Sequence, residues 1–143
     1  MELIYPYPGK RPVIIAAIED VRTGNHHFFQ MLLDTGAEWT CFPARYAASF
    51  GHDNHHKDVK THNMHGLGGS CKCYIHRVRL GLIDPVKSTA ANLAIAWKSK
   101  LDHASFADKL DCGFGLLGMD IMSEWSSMTF SGKSSGGQVK ILI

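Results

Sequence analysis

Long apolar runs are what this 143-residue sequence most clearly lacks. No window approaches the roughly 20 consecutive apolar residues that a membrane-spanning helix needs, which argues against a membrane partner. Charge of one sign is equally scarce: 15 Lys+Arg stand against 13 Asp+Glu, a formal net charge of +2. The basic residues fall in isolated pairs such as Lys10-Arg11, or singly, as Arg77 and Arg79. That is the pattern of solvated faces, and it speaks against nucleic acid as a partner. The four cysteines, Cys41, Cys71, Cys73 and Cys112, are too few for a disulfide framework in a chain of this size. Cys71 and Cys73 would share one face of a strand, poor geometry for a mutual bridge, so all four are expected to be reduced. The opening MELIYPYPGKRP carries an acid and prolines where a signal peptide has a basic and then an apolar stretch, and a cytoplasmic protein is expected. With 45% hydrophobic and 20% charged residues and no internal repeat or linker, residues 1–143 read as one globular domain.

What is present is mostly β pattern. VIIAAIED (13–20) and HHFFQMLL (26–33) read as two strands joined by the turn residues Arg22 to Asn25. TCF reads as a short strand and PARYAASF as a helical turn opened by proline. From Val59 to Ile83 the pattern is β again, broken only by GLGG at 66–69, a long hairpin with a glycine tip. In its second half Tyr74, His76, Val78, Leu80 and Leu82 share one face. ANLAIAW (91–97) is a further strand candidate, and KSKLDHASFADKLDC reads as loop or short helix. GLLG reads as a buried strand, MDIMSEW as a short helix, and MTF and QVKILI as a closing hairpin.

The segment QMLLDTGAEWTCF (30–42) sets a physical problem, because it delivers a carboxylate, Asp34, straight out of an apolar run. An ionised carboxylate in such surroundings is costly unless it is paired or hydrogen-bonded. The set LLDTGA (32–37), GLGG (66–69) and GLLGMDIM (115–122), in that order, resembles the aspartic proteases, and at this length the retroviral-type single-domain members, the retropepsins, in a bacterial or host-encoded form. The resemblance spans roughly Val13 to Trp125. It implies a mainly β fold: a small closed barrel-like acid-protease half with one short helix towards the C-terminus and a flap hairpin.

The chemistry of that family answers the problem. Hydrolysis of a peptide without a metal or other cofactor needs a base to activate water and an acid to protonate the leaving nitrogen. Two adjacent carboxylates sharing one proton supply both. Met31, Leu32 and Leu33 would keep the site partly dry. The chain offers a single Asp-Thr-Gly. Asp111-Cys112-Gly113 has the outline but no apolar run leading into it. The second carboxylate is therefore expected from a second copy, in a twofold homodimer acting on a peptide or protein substrate.

By resemblance, Asp34, Thr35 and Gly36 form the catalytic loop, with the Thr35 hydroxyl bonding across the dimer axis. Ala37, Glu38 and Trp39 would meet the substrate. His65, Gly66, Leu67, Gly68 and Gly69 would form the flap tip, and Leu116, Leu117 and Gly118 would support the loop from beneath. Where retroviral enzymes carry an arginine after the last glycine, this chain has Met119 and then Asp120, so that ion pair is missing.

Other readings remain open. The fold without turnover would be a peptide-binding or dimerisation module. Asp34 as a turn-capping aspartate would sit in an inert domain. His52, His55, His56, His62 and His65 with Cys71 and Cys73 could form a zinc-binding domain, although their spacing fits no closed four-ligand pattern and no metal is expected. His62 and His65 are also candidates for tuning flap access near neutral pH.

Overall fold

The computed structural model describes all residues except Leu67, Gly68 and Ser134, so the two central positions of the expected flap tip lie outside the described residues. Strand β2 (Val13–Asp20) and strand β3 (His26–Leu33) form the expected antiparallel hairpin, registered from Val13 against Leu32 to Glu19 against His26. Strand β4 (Cys41–Pro43) is fully buried, and two single 3-10 turns, Ala44–Tyr46 and Ala48–Phe50, follow it.

The expected long hairpin divides into three strands: β5 (Lys60–Gly66), β6 (Gly69–His76) and β7 (Val78–Ile83). Arg77 breaks the second half. β6 pairs with β5, and β7 leaves to pair with β2 and with β8 (Ile95–Lys98). The face carrying Tyr74, His76, Val78, Leu80 and Leu82 is buried, and Cys73 on the opposite face is buried as well. The segment after Lys98 holds no helix. It contains strand β9 (Ala104–Ala107), four buried residues lying parallel to β4 and antiparallel to β6. Strand β10 (Gly115–Leu117) leads into a one-turn helix, α1 (Met119–Met122), and β11 (Ser127–Lys133) and β12 (Gly136–Leu142) close the chain as a hairpin.

The N-terminal segment, expected to be broken by its prolines, is strand β1 (Glu2–Pro8). It lies at the edge of a three-stranded sheet, β1-β12-β11, where Pro6 and Pro8 need no second ladder. The other nine strands form one sheet in the order β5-β6-β9-β4-β10-β3-β2-β7-β8. This sheet is open: among the described residues no ladder joins β5 to β8, so the expected closed barrel is corrected to a folded open sheet. The reason is visible in β6. Its Cys73–His76 half pairs with β9, whereas Gly69–Lys72 and the facing part of β5 run on past the sheet as a free arm.

The core is aromatic at its centre. Phe42 and Phe106 stack with centroids 5.0 Å apart, and Phe29 and Phe50 pack edge-on against Phe42. Val139 and Ile141 bring the small sheet onto this core, and the Tyr5 hydroxyl donates to the Ile83 carbonyl at 2.6 Å. Because Phe106 is wholly buried, Phe106→Ala is expected to cost about 3–5 kcal/mol of unfolding free energy in urea titrations.

Candidate active site

Asp34 stands where the central strand ends. β10 runs parallel to β3, with Leu116 beside Leu32 and Leu117 beside Leu33, and the Asp34 N–H extends that ladder by donating to the Leu117 carbonyl at 3.0 Å. The chain then turns sharply: the Ala37 N–H donates to the Asp34 carbonyl at 3.1 Å, and the Gly36 N–H donates to Asp34 Oδ1 at 3.0 Å. The carboxylate is thus held by the backbone that follows it. A Cβ on Gly36 would lie 3.3 Å from Asp34 Oδ1, tighter than an ordinary contact, which is why glycine suits this position. Asp34 is half-buried, while Thr35 and Gly36 are exposed.

Beneath the turn, two segments cross and bond to each other. The Met119 N–H donates to the Ala37 carbonyl at 2.8 Å and the Asp120 N–H to the Glu38 carbonyl at 3.1 Å. In the other direction, the Thr40 N–H donates to the Asp120 carboxylate at 2.9 Å and the Thr40 hydroxyl donates to Asp120 Oδ1 at 2.7 Å. The same Thr40 oxygen accepts the Gly118 N–H at 3.0 Å. The approach requires glycine at 118, since a Cβ there would fall 2.5 Å from the Trp39 carbonyl carbon. Thr40 and Asp120 are the residues the motif-based reading missed. Their signal was in the sequence, a threonine three residues past Ala37 and an acid two past Gly118, but only the crossing shows that one binds the other.

The free arm of β5 and β6 overhangs the turn. A cavity of about 230 Å³ lies between them, with Ala37, Trp39 and Cys41 on the loop side, Met64, His65 and Gly69 on the hairpin side, and Leu116 behind. Trp39 is 46% exposed there, a pocket wall and not core. Gly66 pairs with Gly69 at the last described rung. Glu38 is exposed, its carbonyl used by the crossing. Burial pushes the Cys41 thiol up to about 12 and the Cys73 thiol up to about 11, so neither is a thiolate nucleophile near neutral pH. A larger cavity of about 570 Å³ lies between β1 and the β2–β3 hairpin, lined by Ile15, Gln30 and Pro85 and by no carboxylate.

The other candidates disperse. Asp111 has its side chain 98% exposed beside Arg45, so it offers no second buried acid. Among the described residues, no group of three or more His, Cys, Asp or Glu is placed to hold a metal ion. His62 Nε2 lies 2.9 Å from the Ser105 hydroxyl, and His52 packs on His76, away from both cysteines. No described helix is long and apolar enough to cross a membrane.

Among solved structures, the chain is similar to a retropepsin-like aspartic protease from Rickettsia conorii, at 14% identity over 98% of this chain and 92% of that one, with a TM-score of 0.57. The fold is retropepsin-like. A second similar structure is the EIAV protease complexed with the inhibitor HBY-793, at 19% identity over 80% of this chain and 88% of that one, with a TM-score of 0.49. No protein-family model matches the sequence, and neither does any curated protein. The retropepsin-like fold joins Asp34, the crossing beneath it and the overhanging hairpin in one arrangement.

The crossing is open to a direct energetic test. Thr40→Val and Asp120→Ala are each expected to destabilise the protein by about 1–3 kcal/mol, because each leaves buried partners unsatisfied. In a double-mutant cycle followed by urea unfolding, the pair should show a coupling of about 0.5–3 kcal/mol.

Proposed function

We propose that the protein is an aspartic endopeptidase that works as a homodimer. The observation that carries this reading is Asp34 itself, a half-buried carboxylate held by its own turn at the end of β3, the turn whose Ala37 lines a pocket overhung by a hairpin. In this reading one chain provides one acid, and a twofold axis beside the exposed Thr35 and Gly36 brings two Asp34 side chains together. The Thr35 hydroxyl, exposed at the same turn, bonds to the partner's loop across the axis. Like charges at that separation cannot both ionise readily, so the pair holds one proton between them.

The ionised member takes a proton from the lytic water as its oxygen attacks the scissile carbonyl carbon. The protonated member hydrogen-bonds to the carbonyl oxygen as negative charge builds there. Collapse of the tetrahedral intermediate transfers a proton to the leaving nitrogen and restores the shared proton. The chain's remaining residues position the substrate. The β5–β6 arm closes over an extended peptide as a flap and excludes water; the substrate contacts expected of Leu67 and Gly68 fall on residues outside those described. The Glu38 N–H and the Gly69 end of the arm supply backbone partners for an added strand, and Ala37 lies against it. Trp39, Met64 and Leu116 form an apolar pocket for a substrate side chain. Neither a metal nor a covalent intermediate enters any of these steps.

The decisive variant is Asp34→Asn, which keeps shape and removes the titrating acid. Cleavage of a peptide library is expected to fall by at least about 10³-fold while circular dichroism stays unchanged; wild-type cleavage by the folded variant would rule the mechanism out. The wild-type pH–rate profile is expected to be bell-shaped with an acidic optimum, both limbs belonging to the shared-proton pair. A profile rising steadily through neutral pH would contradict it. A folded wild-type protein that binds peptides and cleaves none would instead be the non-catalytic module.

A further inference from the structure

The far end of the overhanging hairpin is anchored by two buried histidines that catalysis does not use. β6 ends on His76, and His52 opens the loop that leads into β5. Their rings lie with centroids 4.7 Å apart, tilted by 39°, and the residues are 4% and 6% exposed. Asn54 fixes the state of one ring. Its Nδ2 donates to the Ala44 carbonyl at 2.9 Å, so its Oδ1 faces His76 Nε2 at 2.7 Å and that nitrogen carries the hydrogen. His76 therefore titrates at Nδ1.

His52 Nε2 is buried without a hydrogen-bond partner, 3.4 Å from Asp20 Oδ1. Asp20 is already taken up by the Arg22 N–H, Nε and Nη2 and by the Thr23 hydroxyl. Burial works to raise the Asp20 carboxyl, and the Arg22 hydrogen bonds outweigh it and hold the group below its usual range. The other charged groups facing the rings are Asp53, His56 and Asp58 from the loop and Arg77 beyond β6, which share a cavity of about 390 Å³ with them. From β9 the Phe106 ring packs on His76 at 5.0 Å.

We infer that the His52–His76 pair is a proton-operated latch: with both rings neutral it clamps the 51–59 loop to the base of the β5–β6 hairpin, and protonation releases that base. As a control of flap access the latch rests on the peptidase reading; as a device in the fold it does not. Two imidazolium rings in contact repel, and the surroundings already resist the first charge. Burial and then Arg22 lower the His52 imidazole against the pull of Asp20. Burial, His52 and Arg22 push His76 down to about 4.

A histidine released into water titrates near about 6.5, so the open latch takes up protons more readily than the closed one. The closed state is therefore fully favoured above about pH 6.5, and its advantage is lost as pH falls towards 4. Through His76 alone, going from pH 7.5 to pH 5 shifts the equilibrium towards the open state by about thirtyfold.

Amide hydrogen exchange on the full chain, corrected for the intrinsic pH dependence of exchange, reads this directly and needs no substrate. Protection of the β5 and β6 amides is expected to fall about thirtyfold between pH 7.5 and pH 5, with β2 and β3 unchanged. In the double variant His52→Phe/His76→Gln, which keeps a ring at 52 and a donor to Asn54, the fall is expected to vanish. Unchanged protection in the wild type, or a full fall in the variant, would overturn the latch. If the variant does not fold, the wild-type imidazole titration decides: His76 protonating near pH 6.5 while the hairpin stays protected also overturns it. A protein that cleaves no peptide yet shows the fall keeps its latch and loses only the peptidase reading.

Discussion

The crossing of residues 37–40 with residues 117–120 is the constraint on which the rest of the structure depends. A carboxylate at the end of a buried strand is useful only if its position is fixed to within a fraction of an ångström. A single turn cannot do that. Here the turn is bonded from below by two backbone hydrogen bonds and by the Thr40–Asp120 pair, whose carboxylate accepts both the N–H and the hydroxyl of one residue. The Ala37 and Glu38 carbonyls, the Thr40 N–H and hydroxyl and the Gly118 N–H are all engaged across the crossing, which ties the Asp34 loop to the start of α1. Gly118 is the geometric condition for it, because any side chain at that position would collide with the Trp39 carbonyl carbon.

The wide sheet converts that local order into a cleft. The parallel neighbours β3 and β10 carry the turn at their common end, β4 and β9 continue the sheet sideways, and β6 leaves it half-way along to hang over the turn. One strand therefore ties the floor of the pocket to its roof. The aromatic cluster of Phe42, Phe50 and Phe106 sits behind this arrangement, and His76 packs on Phe106 at the place where the roof is attached. Floor, overhanging arm and the histidine contact at its base follow from how far each strand stays paired.

Much of this was legible in the sequence where local chemistry and long-range packing agree. The strand-like runs 13–20 and 26–33 matched the hairpin to the residue, because the turn residues between them are unambiguous. Asp34 stood out because a carboxylate after an apolar run demands a reason. Elsewhere tertiary context prevailed. Pro6 and Pro8 count against a strand until the strand is known to lie on an edge. Ala104–Ala107 is too short to show a period, and its mixed flanks resemble an amphipathic helix. The strand count fitted a barrel-like or a folded sheet domain and the resemblance implied the closed form, whereas closure depends on which edges meet. Asp120 was legible as the loss of an arginine, but the bonds it makes to Thr40 are a property of the crossing. Similarly, the histidine count left a zinc-binding alternative open, while the pairing of two of them, His52 and His76, is a product of the fold.

The central claim is that Asp34 works only opposite a second Asp34, so that one reaction centre is made by two chains. Titrating a known concentration of chains with a tight-binding peptide analogue that carries a tetrahedral hydroxyl at the scissile position tests this most directly, because such a mimic binds the shared-proton pair itself. Saturation at one inhibitor per two chains, lost on substituting Asp34, is the result the account requires. Saturation at one inhibitor per chain, or no binding by a folded protein, would contradict it.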